Sequence, residues 1–294
     1  MKATIYALGF FDGVHLGHQA LLRDCRHLAD RHSCEAAAVT FTAHPDSLVF
    51  GKAPGLLNTS EDRKRLLRTY GMDTVLELPF DRTLMATHWS SFLEQLVDCG
   101  AAGFVCGSDF RFGAGSNGTA KKLAAFCESR QLPCAIVPEQ TMDGERISST
   151  RIRQFLEQGD LAQVNRLLGH PYILTGSVVS GRQMGRTIGI PTANLLLPEV
   201  LLAPRFGVYA CKCFVDGREY MAVTNVGTRP TVNGSNVTVE VHLLDFGGDL
   251  YGKTLTVAFF EFLRPEKKFP SLGELQKEIQ KNTLQTRKFF EKSI

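Results

Sequence analysis

Residues 9–18 read Gly9-Phe10-Phe11-Asp12-Gly13-Val14-His15-Leu16-Gly17-His18, and the two imidazoles are the first groups in the chain whose spacing suggests chemistry. The stretch follows an apolar run, Ile5 to Leu8, that reads as a buried strand, and it leads into a helical pattern from about Gln19. Amide groups at a helix N-terminus have no intrahelical partner and point at anions. Imidazoles placed there add donors without a strong fixed charge, which suits a polyphosphate. Gly13 and Gly17 allow tight turns and close approach of backbone to a ligand. Two histidines three apart also arise in purely structural settings, so the motif needs its context.

A second such stretch is Ile147-Ser148-Ser149-Thr150-Arg151-Ile152-Arg153. The hydroxyls suit a helix cap. The arginines do not, because a cation near a helix N-terminus opposes the macrodipole. A bound phosphate reconciles them, with hydroxyls, amides and guanidinium all facing one anion. A third is Gly185-Arg186-Thr187-Ile188-Gly189-Ile190-Pro191-Thr192-Ala193-Asn194-Leu195. Its glycines suit a loop wrapped around a nucleotide, and equally a glycine-rich barrel turn. Thr192 and Asn194 offer neutral oxygens of the kind a hard, partly hydrated cation accepts. In Val237-Thr238-Val239-Glu240-Val241-His242, alternation puts Thr238, Glu240 and His242 on one face of a strand. That face is either solvated or part of a site.

The elements that must position these residues change character along the chain. Strand-like runs at Ile5–Phe11, Ala36–Phe41, Thr74–Leu78, Gly103–Cys106 and Cys134–Val137 alternate with helical patterns. Such alternation predicts a parallel sheet with helices on both faces. Helix starts and stops are readable at Thr59, Gly71, His88 and Gly100. Thr150 to Leu168 reads as a helical segment broken at Gly159-Asp160. Beyond about residue 170 strands with period-2 alternation dominate, and Val215-Asp216-Gly217-Arg218 is a hairpin signal. This predicts a small antiparallel barrel, closed by a helix that Ser271 caps with Glu274. The expected domains are 1–168 and 169–294.

The 294 residues allow two domains, and 44% hydrophobic with 21% charged residues indicate a globular chain. A net charge of +3, from 33 basic and 30 acidic residues, is too balanced for a dedicated nucleic-acid binder. No apolar run approaches the roughly 20 residues that span a bilayer, and no signal peptide is readable, so the expectation is a cytoplasmic protein without membrane or nucleic-acid partners. The eight cysteines contain no C-x-x-C pair and read as small core residues in a reducing compartment.

Taken together, the motifs resemble those of bacterial bifunctional riboflavin kinase/FAD synthetases. F-D-G-V-H-x-G-H, I-S-S-T-x-I-R, Gly107-Ser108-Asp109-Phe110-Arg111-Phe112-Gly113 and Phe41-Thr42-Ala43-His44-Pro45 resemble the adenylyltransferase module of that family. The Gly185–Leu195 stretch resembles its G-R-x-x-G-x-P-T-A-N flavokinase signature, and segments 225–231 and 262–266 match further. Ala43, Ile190 and Asn282 stand where the family commonly has proline, phenylalanine and aspartate.

The resemblance implies a Rossmann-like nucleotidyltransferase domain followed by a Greek-key-like flavokinase barrel with a C-terminal helix. It implies that Glu240 is the general base of a riboflavin kinase and that His15 and His18 serve adenylyl transfer to FMN. It further implies ATP phosphate contacts at Gly9, Phe10, Phe11, Gly17, Ser148, Ser149, Thr150 and Arg153, and an FMN-side loop at His44, Asp109, Phe110 and Arg111. For the kinase it implies ATP contacts at Gly181, Gly185, Arg186, Gly189 and Pro191, and magnesium at Thr192 and Asn194. Riboflavin, FMN and ATP are the expected small molecules, FAD the product, and the expected assembly a monomer or weak oligomer. Two rival expectations are another H-x-G-H adenylyltransferase, such as one for pantetheine phosphate or nicotinamide nucleotide, and a non-catalytic flavin or nucleotide sensor.

Overall fold

The computed structural model describes residues 2–49, 54–179, 189–231 and 234–292. The chain forms two compact units, one of residues 1–56 and 60–149, the other of 57–59 and 150–294.

The first unit is built on a five-stranded sheet. Its strands are β1 (Thr4–Leu8), β2 (Glu35–Phe41), β3 (Thr74–Leu78), β4 (Ala101–Gly107) and, after two short strands, β7 (Cys134–Val137). They lie in the order β3-β2-β1-β4-β7, and every pairing is parallel. The short strands β5 (Arg111–Phe112) and β6 (Gly118–Thr119) pair with each other, as do β8 (Thr141–Met142) and β9 (Glu145–Arg146). Helices α1 (Leu16–Arg31), α2 (Pro45–Val49), α3 (Ser60–Thr69), α4 (Arg82–Ala86), α5 (Trp89–Asp98) and α6 (Ala120–Ser129) fill the connections.

Parallel strands covered on both faces are buried throughout, and β1 is the case in point. Ile5 and Ala7 point into one core with residues of α1 and α3, while Tyr6 and Leu8 point into another with residues of α5 and α6. The sequence run Ile5–Phe11 is cut short because Phe11 turns left-handed, at φ 61°. The chain goes from β1 to β2 on one side and later places β4 on the other. The loops after β1 and β4 therefore flank the switch point where open α/β sheets bind ligands.

In the second unit, α7 (Ser149–Gln158) and α8 (Leu161–Leu168) precede the strands. Asp160 caps α8 by accepting from the Gln163 amide at 3.1 Å, which accounts for the break between the helices. Six strands then close into an antiparallel barrel: β10 (Tyr172–Val179), β11 (Ala193–Leu196), β12 (Gly207–Val215), β13 (Arg218–Thr231), β14 (Gly234–Leu243) and β15 (Thr254–Pro265), in the order β10-β11-β14-β13-β12-β15. Asp216 and Gly217 join β12 to β13 with φ of 49° and 77°, the paired positive angles of a type I′ turn. Helix α9 (Leu272–Glu291) packs on the barrel, and Ser271 caps it by accepting from the Glu274 amide at 3.3 Å. The fold is the parallel α/β unit followed by an antiparallel barrel and helix that the sequence predicts.

All eight cysteines are free thiols. Burial pushes Cys25, Cys106 and Cys213 up to about 12, so they behave as core residues rather than nucleophiles.

Candidate functional sites

His15 ends the loop after β1 and caps α1 in an extended conformation, with φ −64° and ψ 171°. Its Nδ1 accepts from the His18 amide at 3.3 Å, so in the neutral ring the proton sits on Nε2. The His15 and His18 rings stack, with centroids 3.6 Å apart and planes 15° from parallel. Phe11 meets His18 edge-on at 5.4 Å. A Cβ on Gly17 would stand 3.1 Å from the His15 ring, so a larger residue would push the imidazole aside. Burial, then the neighbouring His15, hold the His18 imidazole well below its usual pKa. His18 Nδ1 is buried without a partner, which leaves Nε2 as the nitrogen turned outward. The helix mouth thus presents a neutral imidazole at His18, a donor to an anion that gains no charge near pH 7.

The loop leading to His15 is strained. Phe11, Gly13 and Val14 have φ of 61°, 79° and 43°. Left-handed geometry is free to glycine but costs about 1–3 kcal/mol at Phe11 and at Val14, where β-branching makes it a true outlier. Side-chain hydrogen bonds help hold the loop. Thr40 Oγ1 donates to the Phe10 carbonyl, Gln19 Nε2 to the Val14 carbonyl and Ser149 Oγ to the Asp12 carbonyl, each at 2.9 Å. The last of these joins the Ser-rich stretch to the histidine loop. Thr150 and Arg153 continue along α7 in the second unit.

His44 precedes α2, accepts from the Asp46 amide at 3.2 Å and meets the Phe10 ring edge-on at 4.8 Å. In the loop after β4, Asp109 and Arg146 form an ion pair, and Arg146 also reaches Glu139 at 3.0 Å. Phe110 stacks on Phe112 at 5.4 Å, while Arg111 is exposed. His15, His18 and Phe11 therefore form one group of rings and Phe10 with His44 another, the two joined through the Phe10–Phe11 backbone. Asp109 and Arg111 stand on the neighbouring loop, with Asp109 held by Arg146.

Arg63 is the residue the sequence does not flag, because Ser60-Glu61-Asp62-Arg63-Lys64-Arg65 reads as a solvated helix face. The structure buries it: 1% of it is exposed, and its guanidinium lies 4.3 Å over the Phe10 ring. Two of its nitrogens, Nε and Nη1, have no partner, at a cost of about 1–3 kcal/mol for each orphaned donor.

Described residues of the barrel bound two cavities. The larger, about 220 Å³, is lined by Thr192, Asn225, Glu240, His242, Arg264 and Asn282 among others. The smaller, about 80 Å³, includes Val178, Thr192, Leu243, Phe246 and Tyr251. Thr192 belongs to both walls. Register explains part of the polar side of the larger cavity: Asn225 on β13 and Glu240 on β14 are direct cross-strand neighbours, and Asn194 on β11 pairs with Glu240 from the other strand edge. Val239 and Val241 alternate with Glu240 and are fully buried, as the period-2 pattern predicts.

The β11–β14 ladder stops at Ala193–Val241, two residues after Pro191, which has no amide to extend it. Beyond that point the His242 ring takes over, with Nδ1 2.9 Å from the Pro191 carbonyl. Pro191 lines the smaller cavity, and Gly189 turns with φ 73°. Gly181, Gly185 and Arg186 lie outside the described residues. Ile190 is buried against the larger cavity. Asn282 is 1% exposed; its Oδ1 accepts from Arg264 Nε at 3.1 Å and its Nδ2 donates to Gln285. Burial lowers the Arg264 pKa, opposed by Glu278 and Glu266.

The chain's relatives match both units in order. The FAD synthetase family model matches residues 1–151 and the riboflavin kinase model residues 168–290. A bifunctional riboflavin kinase/FMN adenylyltransferase of Escherichia coli K12 is 38% identical over 295 residues, covering 98% of this chain and 93% of the relative. The chain belongs to the bifunctional riboflavin kinase/FMN adenylyltransferase family. The Listeria monocytogenes member is 34% identical over 292 residues, with 98% and 93% covered. A solved Streptococcus pneumoniae chain, titled a macrolide-efflux protein, superposes with TM-score 0.87 at 30% identity, covering 97% of this chain and 94% of that one. Among the described residues of this family member, no helix is long and apolar enough to cross a membrane.

Proposed function

We propose that this chain makes FAD from riboflavin in two steps, one in each unit. In the barrel, the larger cavity would take the flavin and the smaller the adenine end of ATP. Glu240 would accept the proton of the ribityl hydroxyl as its oxygen attacks the γ-phosphate, and ADP would leave. Thr192, common to both walls, stands where the transferred group would pass. Among the described residues no cluster of three His, Cys, Asp or Glu could hold a metal. The oxygens of Thr192 and Asn194 fit a magnesium ion that arrives with ATP and keeps phosphate and water ligands. When bound, it would offset phosphate charge. The protein's own part is positioning, the main source of rate in phosphoryl transfer.

In the first unit, FMN phosphate would attack the α-phosphate of ATP and expel pyrophosphate. The nucleophile is already anionic, so no general base is needed. His15 and His18, donating from Nε2, would stabilise the charge that builds on the phosphates. Ser148 and Ser149 would hold the departing pyrophosphate, a role the family resemblance extends to Thr150 and Arg153. His44, Asp109, Phe110 and Arg111 would form the FMN side. Eight free thiols fit a reducing, cytoplasmic setting.

The observation that carries this reading is the pair of cavities meeting at Thr192 beside Glu240. A flavin-phosphorylating module is what distinguishes this chain from other adenylyltransferases with an H-x-G-H loop. The test is incubation with riboflavin, ATP and Mg²⁺ followed by chromatographic separation of the flavins. FMN followed by FAD is the expected result; unchanged riboflavin under both oxidising and reducing conditions refutes it.

A further inference from the structure

Arg63 is a charged side chain in the interior of the first unit, and its surroundings leave two of its nitrogens without a partner. Nη2 donates to the Phe41 carbonyl at 2.7 Å and lies 3.5 Å from the Glu77 carboxylate. Glu77 already has Lys64 at 3.3 Å and the Ser60 hydroxyl, so it does not depend on Arg63 for a partner. Burial lowers the guanidinium pKa while Asp12 and Glu77 raise it, and arginine stays charged. With Nε and Nη1 orphaned, the guanidinium brings more donors into the core than the core satisfies.

What the guanidinium does touch is informative. Besides Glu77 it meets the ring of Phe10, in the loop that runs to His15, and the carbonyl of Phe41, where the segment to His44 begins. Phe10 and His44 themselves meet edge-on. The next residues after Phe10 carry the left-handed angles at Phe11 and Val14, which persist only where the surroundings hold them. The side-chain hydrogen bonds from Thr40, Gln19 and Ser149 are neutral and reach the loop's backbone. Arg63 brings a charge and meets a side chain.

We propose that Arg63 is a positioning residue for adenylyl transfer, clamping Phe10 so that the strained histidine loop and the His44 segment keep the spacing that ATP and FMN require. The inference rests on the adenylyltransferase reading of the first unit. It makes the buried charge a cost to the fold that is kept for the geometry of the site.

The test compares R63M and R63K in the full chain. R63M is expected to lower kcat for FAD formation from FMN at least tenfold. FMN formation from riboflavin should not change, and the folded fraction at the assay temperature should stay that of the parent. R63K keeps a cation against the Phe10 ring and is expected to recover part of the loss. Amide hydrogen exchange read on the peptide covering residues 9–15 should speed up in R63M and much less in R63K. Parental kcat and exchange in R63M overturn the proposal. So does a fall in melting temperature in both variants with FAD formation lost in proportion to the unfolded fraction. Should the parent itself make no FAD from FMN, the reading of the unit fails, whereas the exchange result still reports whether Arg63 holds the loop.

Discussion

Replacing His18 by alanine tests the first site most directly. The ring lies 3.6 Å from that of His15 and 5.4 Å from that of Phe11, and its Nδ1 has no partner. Truncation therefore removes one outward donor, Nε2, together with a stacking surface, and relieves one orphaned nitrogen. The last two effects oppose each other, so stability should change by less than about 1.5 kcal/mol. The lost donor acts where charge develops, and such donors are worth about 10²–10³ in rate, or roughly 2.7–4 kcal/mol. The assay supplies FMN and ATP and measures FAD, with riboflavin phosphorylation run on the same preparation. H18A should lose about 10²–10³ in FAD formation and keep FMN formation. H18Q, whose amide nitrogen can stand near Nε2, should regain about tenfold. A loss below fivefold, or an equal loss of both activities, refutes the reasoning.

Protonation of the same ring gives a stability prediction. The folded pKa of His18 lies below its unfolded value of about 6.5. The unfolded chain therefore binds the proton more readily, and stability falls as pH drops below about 6.5 toward the folded pKa. Urea midpoints of the first unit at pH 7.5 and 5.5 should differ more in the parent than in H18Q; equal differences count against the buried neutral ring. In the barrel, E240Q should lower FMN formation by about 10²–10⁴, the usual range for loss of a general base, and leave FAD formation from supplied FMN intact. Parental FMN formation in E240Q would remove Glu240 from the mechanism. H242L should raise the KM for ATP in FMN formation several-fold because Pro191 loses its imidazole partner, and H242N, which can offer an amide in place of Nδ1, should restore it. A change in the riboflavin KM alone would instead make His242 a flavin contact.

Alternation of strands and helices, the Asp216-Gly217 turn and the Ser271 cap were legible because each is local. Their signals occupy a few consecutive residues. The histidine pair was legible for the same reason, as was the face shared by Glu240 and His242. Arg63 was not, because a charged run gives no hint of which member the sheet will cover. The shared wall at Thr192 was not, because it depends on the register of β11 against β14. The ring of His242 capturing a proline carbonyl across 51 positions is likewise invisible until the barrel closes.

The shared Thr192 wall also bears on how ATP is spent when flavin is scarce. A cavity of about 220 Å³ that holds no flavin admits water, and water is itself a phosphoryl acceptor. Glu240 would serve either acceptor, so chemistry alone does not protect the nucleotide. Protection must come from the acceptor's placement: a hydroxyl delivered on a bulky, immobilised ring system against a small molecule free to tumble. The rate of riboflavin-independent ATP hydrolysis by the barrel is therefore a leak current, and it gauges how well one threonine partitions the two compartments.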